Sequence, residues 1–120
     1  MAITYGIDKT DNTTFTTAYK GYFISALYAV GDNLNKRQFT QLEFQLARPL
    51  RTDEGIKIEY RTNLTADFSD GLIGTYTFTS LGAVLSHNAI ASIPSCEFIQ
   101  IKLSPTGSGT TPEVRTITLK

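Results

Sequence analysis

Tryptophan is absent, and cysteine, histidine and methionine occur once each, as Cys96, His87 and Met1. A single cysteine cannot close an intrachain disulfide, so the fold does not depend on an oxidising compartment. One cysteine and one histidine also provide no ligand spacing for a transition metal. They stand nine residues apart, which leaves no local pair in which an imidazole would activate a thiolate. No acidic residue lies within nine positions of His87, and no nucleophile-elbow pattern accompanies it, so a Ser-His-Asp triad has no sequence support. Cys96 therefore reads as a small residue near the start of a strand, and His87 as a structural or solvent-facing side chain.

Charge is also scarce. Charged residues make up 18% of the chain, eleven of each sign, and the formal net charge is zero. That balance speaks against the basic face of a nucleic-acid binder and the polybasic patch of a membrane-surface module. It also weakens self-repulsion and so permits association at neutral pH. No apolar run approaches the length of a membrane span. The first residues, Met1-Ala2-Ile3-Thr4-Tyr5, have neither the basic nor the long apolar region of a secretory leader. Gly107-Ser108-Gly109 lacks the lysine of a phosphate-binding loop and precedes a strand, not a helix. No cofactor and no metal is expected. Asp67-Phe68-Ser69-Asp70-Gly71 places two carboxylates three apart, but without the spacing or closing glutamate of a calcium loop. It reads as a hairpin bend at Asp70-Gly71. Asn12-Thr13-Thr14 and Asn63-Leu64-Thr65 match a glycosylation sequon, a pattern common by chance.

What the chain has in quantity is residues that suit a pleated sheet. Eighteen threonines join seven phenylalanines and six tyrosines, with many Ile and Val. Five segments alternate with period two. Ile56, Ile58 and Tyr60 oppose Lys57, Glu59 and Arg61. Tyr76 and Phe78 alternate with Thr75, Thr77 and Thr79, and Leu42, Phe44 and Leu46 with Glu43 and Gln45. Ile99, Ile101 and Leu103 alternate with Gln100 and Lys102, and Ile117 and Leu119 with Thr116 and Thr118. Such alternation predicts half-buried antiparallel strands.

Residues 22–30, between Gly21 and Gly31, are apolar on both alternating faces. A strand is preferred there over a short helix. Residues 80–94 have no clear period and read as a long loop or a short helix at 83–86. Residues 8–18 carry at most a ragged strand at 13–17. Turn residues fall at Gly31-Asp32-Asn33, at 49–55 and at 104–112. The expected fold is a single all-β domain over residues 1–120: a two-sheet antiparallel β-sandwich of jelly-roll type with about eight strands.

Candidate contact residues follow from this layout. Tyr19, Tyr22 and Tyr28 are amphipathic anchors near the segment with two apolar faces. Glu113 and Arg115, two apart, are expected to share a strand face and to pair with Arg61 or Glu59, or with a neighbouring subunit. Pro112 is expected to mark the start of the closing strand.

From residue 36 to 119 the order of features resembles the β-sandwich modules of tailed-bacteriophage structural proteins. Lys36-Arg37-Gln38-Phe39 leads into a strand. Arg48-Pro49-Leu50 precedes a turn and the strand Gly55-Ile56-Lys57-Ile58-Glu59-Tyr60-Arg61-Thr62. A short insert ends in Leu72-Ile73-Gly74-Thr75. Phe98-Ile99-Gln100-Ile101-Lys102-Leu103 then precedes Thr111-Pro112-Glu113-Val114-Arg115. Such modules often carry a tryptophan in the hairpin after the Tyr-Arg strand, and Phe68 is expected to take that place. The resemblance implies a non-enzymatic building block of a tail, baseplate or fibre, located in the virion. Its partners would be other virion proteins and copies of itself, and no catalytic residue is implied. A carbohydrate- or host-receptor-binding module on the same fold is the second expectation, and a hydrolase the last.

Overall fold

The computed structural model describes residues 2–4, 23–25, 27–31, 34–107 and 112–120. The alternating runs form strands, and these build two antiparallel sheets. In the first, β1 (Ala2–Thr4) lies beside β9 (Val114–Leu119), followed by β4 (Arg37–Leu46) and β7 (Ser86–Cys96). In the second, β8 (Phe98–Gly107) carries β2 (Phe23–Ile24) and β3 (Tyr28–Ala29) on one side. On its other side lie β5 (Glu54–Arg61) and then β6 (Leu72–Thr77). Among the described residues, seven strands thus have three residues or more, and two segments have two.

One apolar cluster joins the sheets. Phe39, Leu42, Phe44, Ile93 and Ile117 enter it from the first sheet, and Ile56, Ile58, Ile99 and Ile101 from the second, all essentially inaccessible to solvent. The period-two reading thus holds where it was clearest, from Leu42 through Phe44 to Leu46 in β4 and from Ile117 to Leu119 in β9, while the buried Phe39 and Val114 lie one step out of that period.

The chain changes sheet at most connections, but β5 and β6 form a hairpin within one sheet. Its bend is a 3-10 turn, Phe68–Asp70, capped by Asp67, and the Tyr60 amide donates to the Gly71 carbonyl at 2.8 Å. A Cβ at Gly71 would collide with the Tyr60 carbonyl, so this closure requires glycine. Between β7 and β8 only Glu97 intervenes, and its carbonyl accepts from the amides of Val30 and Gly31 at 2.7 and 3.1 Å.

Within residues 22–30 the described residues form two short strands, β2 and β3, both on β8. From Ile24 to Tyr28 this segment advances four residues while β8 advances three, Lys102 to Ile99. The extra residue is accommodated at Ser25. Its amide donates to the Ile101 carbonyl at 2.9 Å, and its hydroxyl accepts from the Ile101 amide at 3.0 Å. A side-chain oxygen thus stands in for a backbone carbonyl, as at a bulge.

Three expectations are corrected. Residues 80–94 are mostly β7, an eleven-residue strand, not a loop. The helical turn is α1 (Phe78–Leu81), not residues 83–86; it is held by a reciprocal Thr77–Ser80 cap and interrupts the alternation at Phe78. The loop expected from residue 104 begins later, because β8 stays paired with β5 as far as Gly107 opposite Glu54. The ragged strand at 13–17 lies outside the described residues.

Candidate functional site

Arg61 closes β5 on the outward face of the second sheet, where its side chain is taken up by the chain itself. Its Nε donates to Gln100 Oε1 at 2.7 Å, and Gln100 Nε2 donates to the Ser25 carbonyl at 2.8 Å. The guanidinium carbon lies 4.3 Å from the centre of the Phe68 ring, and Lys102 Nζ lies 5.6 Å from it. Phe68, at the expected tryptophan position, is therefore a lid stacked on cations. Glu59, two residues earlier in β5, is buried and pairs with Lys57 at 3.6 Å. Arg61 stitches the hairpin excursion to β8 and to the bulge at Ser25.

Glu113 departs furthest from expectation. It precedes β9, is buried, and lies 3.9 Å from Arg48 Nε, while Arg115 is exposed. The ladder between β4 and β9 shifts register after Gln45, so Glu113 sits outside the regular alternation and turns inward. Neither residue reaches Arg61 or Glu59, which belong to the other sheet. The dominant partner of Arg48 is Glu54. Two parallel hydrogen bonds of 2.7 Å join them, and the Arg51 amide donates to Glu54 Oε1 at 2.7 Å. The Glu54 side chain is fully buried. Its hydrogen bond holds the Arg48 guanidinium above its ordinary pKa, with the Glu54 and Glu113 charges adding to the effect and burial opposing it. Sequence reasoning missed Glu54, although its parity with Ile56 and Ile58 places a carboxylate on the dry face, where only a buried partner would hold it.

His87 is half-buried between two rings, 5.6 Å from Phe44 and 5.1 Å from Tyr76, where the edges of the sheets approach. Burial raises the Tyr76 phenol. Tyr28 pairs with Ile99 and is half-buried against the core; Tyr19 and Tyr22 lie outside the described residues. Asp67 accepts from the Ser69 amide at 3.0 Å, which holds its carboxyl below the usual range. It borders a shallow cleft of about 150 Å³ lined by Tyr60, Arg61, Asp70, Gly71 and Pro94. Among the described residues no three His, Cys, Asp or Glu side chains converge as a metal site requires, and no helix is long and apolar enough to cross a membrane.

Cys96 is buried at the end of β7, and burial pushes its thiol up, so the reactive thiolate is disfavoured. A thiol-specific chromogenic reagent is expected to leave it unmodified in the native protein at pH 8 and to titrate it fully in denaturant. Rapid stoichiometric reaction of the native protein would contradict this placement.

The remaining feature is the outer edge of β7. Ser86, Asn88, Ile90 and Ser92 are exposed along it, Ile90 at 85%. The eleven residues contain no Asp, Glu, Lys or Arg.

No family model matches the chain, and no characterised protein matches it in sequence.

Proposed function

We propose that this chain is a structural and assembly module of a tailed-bacteriophage virion, a tail, baseplate or fibre component acting through protein–protein contacts and without enzymatic activity. The strand orders β1-β9-β4-β7 and β2/β3-β8-β5-β6 support a finer reading of the fold as an eight-stranded jelly roll, with β2 and β3 counted as one interrupted strand. That architecture recurs in viral coat and lectin domains. One observation carries the functional reading. The polar side chains flagged by sequence, Arg61 and Glu113, are taken up within the chain, whereas the uncharged outer edge of β7 pairs with no strand among the described residues. The expected test is quantitative mass spectrometry of purified particles from a culture expressing the chain. A fixed copy number per particle supports the proposal, and recovery only in the free soluble fraction contradicts it.

The cleft beside Tyr60, Arg61, Asp67 and Asp70 favours a second reading, a glycan-binding module, because it sets an aromatic ring beside carboxylates and a guanidinium. Saturable glycan-array binding that Asp70→Ala removes would favour it over the first.

A further inference from the structure

We propose that the outer edge of β7 pairs antiparallel with β7 of a second copy of this chain, extending the first sheet across a two-fold axis. This inference names the surface and partner of the assembly reading and rests on it.

Backbone direction can be followed residue by residue. The Gln41 amide donates to the Lys120 carbonyl at 3.1 Å, and the Lys120 amide donates to the Gln41 carbonyl at 2.9 Å, so Gln41 faces β9. Backbone groups alternate along a strand, so Leu42 faces β7, and its register partner Ala89 faces β4. The groups of Asn88 and Ile90 then point away from the sheet, on the side where no strand among the described residues pairs with β7. An independent bond agrees: the Leu46 amide donates to the Leu85 carbonyl at 2.6 Å, giving odd-numbered residues of this stretch the inward direction.

Such a row of outward N–H and C=O groups is a template for another strand, and edges are commonly blunted by charge or proline. Between Ser86 and Ala91 neither is present, and the outward row carries Ile90. Further along, Pro94 and a long hydrogen bond of 3.4 Å from the Tyr60 hydroxyl to the Ser92 carbonyl close the edge. The corresponding edge of the second sheet, β6, has only six residues, with Phe68–Asp70 before it and α1 after it.

A second copy fits for two reasons. Antiparallel pairing about a two-fold brings the same short segment against itself, which is the closed geometry of an isologous dimer. No like charges oppose each other in that arrangement, and the chain as a whole is formally neutral. The open segment is short, so the buried area falls below the roughly 800 Å² per partner of a stable complex. Association in solution is therefore weak, and in an assembly it is reinforced by other contacts.

Sedimentation velocity from about 10 μM to about 1 mM, the range in which weak complexes populate, is expected to show the mass rising from one chain to two. Ile90→Lys is expected to weaken association at least about tenfold by placing like charges across the axis. Ile90→Pro, which removes only the outward amide, is expected to do the same with an unchanged far-ultraviolet spectrum. On the unaltered protein, exchange of the Asn88 and Ile90 amides is expected to slow as concentration rises. A wild type that stays monomeric throughout, or dimers that survive both substitutions with these amides still exchanging fast, overturns the inference. If the chain is nonetheless incorporated into particles, the assembly reading stands and only the edge assignment fails. If it neither pairs nor enters particles, both fail.

Discussion

Phe44→Ala is expected to lower the free energy of unfolding by about 3–5 kcal/mol, the usual loss for a buried aromatic side chain. Phe44 is wholly inaccessible and sits in β4, which pairs on both sides, opposite His87 in β7 and Ile117 in β9. Its ring meets Tyr76 of the second sheet at 5.1 Å, tilted by 51°. Truncation therefore opens a cavity in contact with both sheets at once, which neither can close by moving alone. Urea denaturation followed by circular dichroism measures the loss. Ile90→Ala, on the exposed side of β7, is the matched control and is expected to change stability by less than about 0.5 kcal/mol. A Phe44→Ala loss no larger than that control would place Phe44 outside the core.

Arg48→Ala is expected to cost a comparable amount, about 3–5 kcal/mol, because it removes the bidentate cation from a buried carboxylate. Glu54 has no solvent contact and receives both Arg48 nitrogens at 2.7 Å. The pair ties the turn after β4 to the start of β5, and Glu113 draws the approach to β9 into the same cluster. Arg48 is about a quarter exposed, so the figure is dominated by what happens to Glu54, not by the arginine's own attraction. Replacing both partners, Arg48→Met with Glu54→Leu, is expected to recover part of the loss, since the apolar pair removes the buried Glu54 charge while Glu113 still loses its contact with Arg48. Additive losses in the double variant would show that the two residues contribute independently. Glu113→Ala, removing a single contact of 3.9 Å, is expected to cost less than either single change in the pair.

The fold was legible where side chains of contrasting polarity alternate. In β4 and β9, threonine, glutamine and glutamate separate the buried Leu, Phe and Ile, so the period is visible without partners. β7 hid for a physical reason. Its inward positions include the small Ala89 and Ala91, while its most exposed position carries Ile90, so a polarity count nearly inverts the strand. Its neighbours decide its conformation, as the Leu42–Ala89 and Phe39–Ile93 pairings show. The extension of β8 to Gly107 likewise follows from its ladder with β5, a long-range constraint that no local turn pattern carries.

The polar sites were legible in parts. Arg61 was singled out as a cross-strand charge partner for Glu113 and Arg115, yet its partners Gln100 and Phe68 come from β8 and from the hairpin turn. Glu113 and Arg115 were paired by counting two residues, and a one-step register shift beside Val114 undid that count. Glu54 was readable by the same parity that identified Ile56 and Ile58 as core. Its partner was close as well, six residues back across Pro49.

Native-state hydrogen exchange resolved by residue tests the two-sheet architecture most directly. In the monomeric Ile90→Lys protein, the amides of Leu42, Phe44, Ile58 and Ile101 are expected to exchange slowest. Along β7 protection is expected to alternate, slow at Ala89 and fast at Asn88, and along β9 Thr118, which faces β4, is expected to exchange more slowly than Ile117, which faces the three-residue β1. Uniform protection of consecutive amides from 80 to 94, as in a helix, or fast exchange throughout β4, would contradict the two antiparallel sheets on which the assembly role rests.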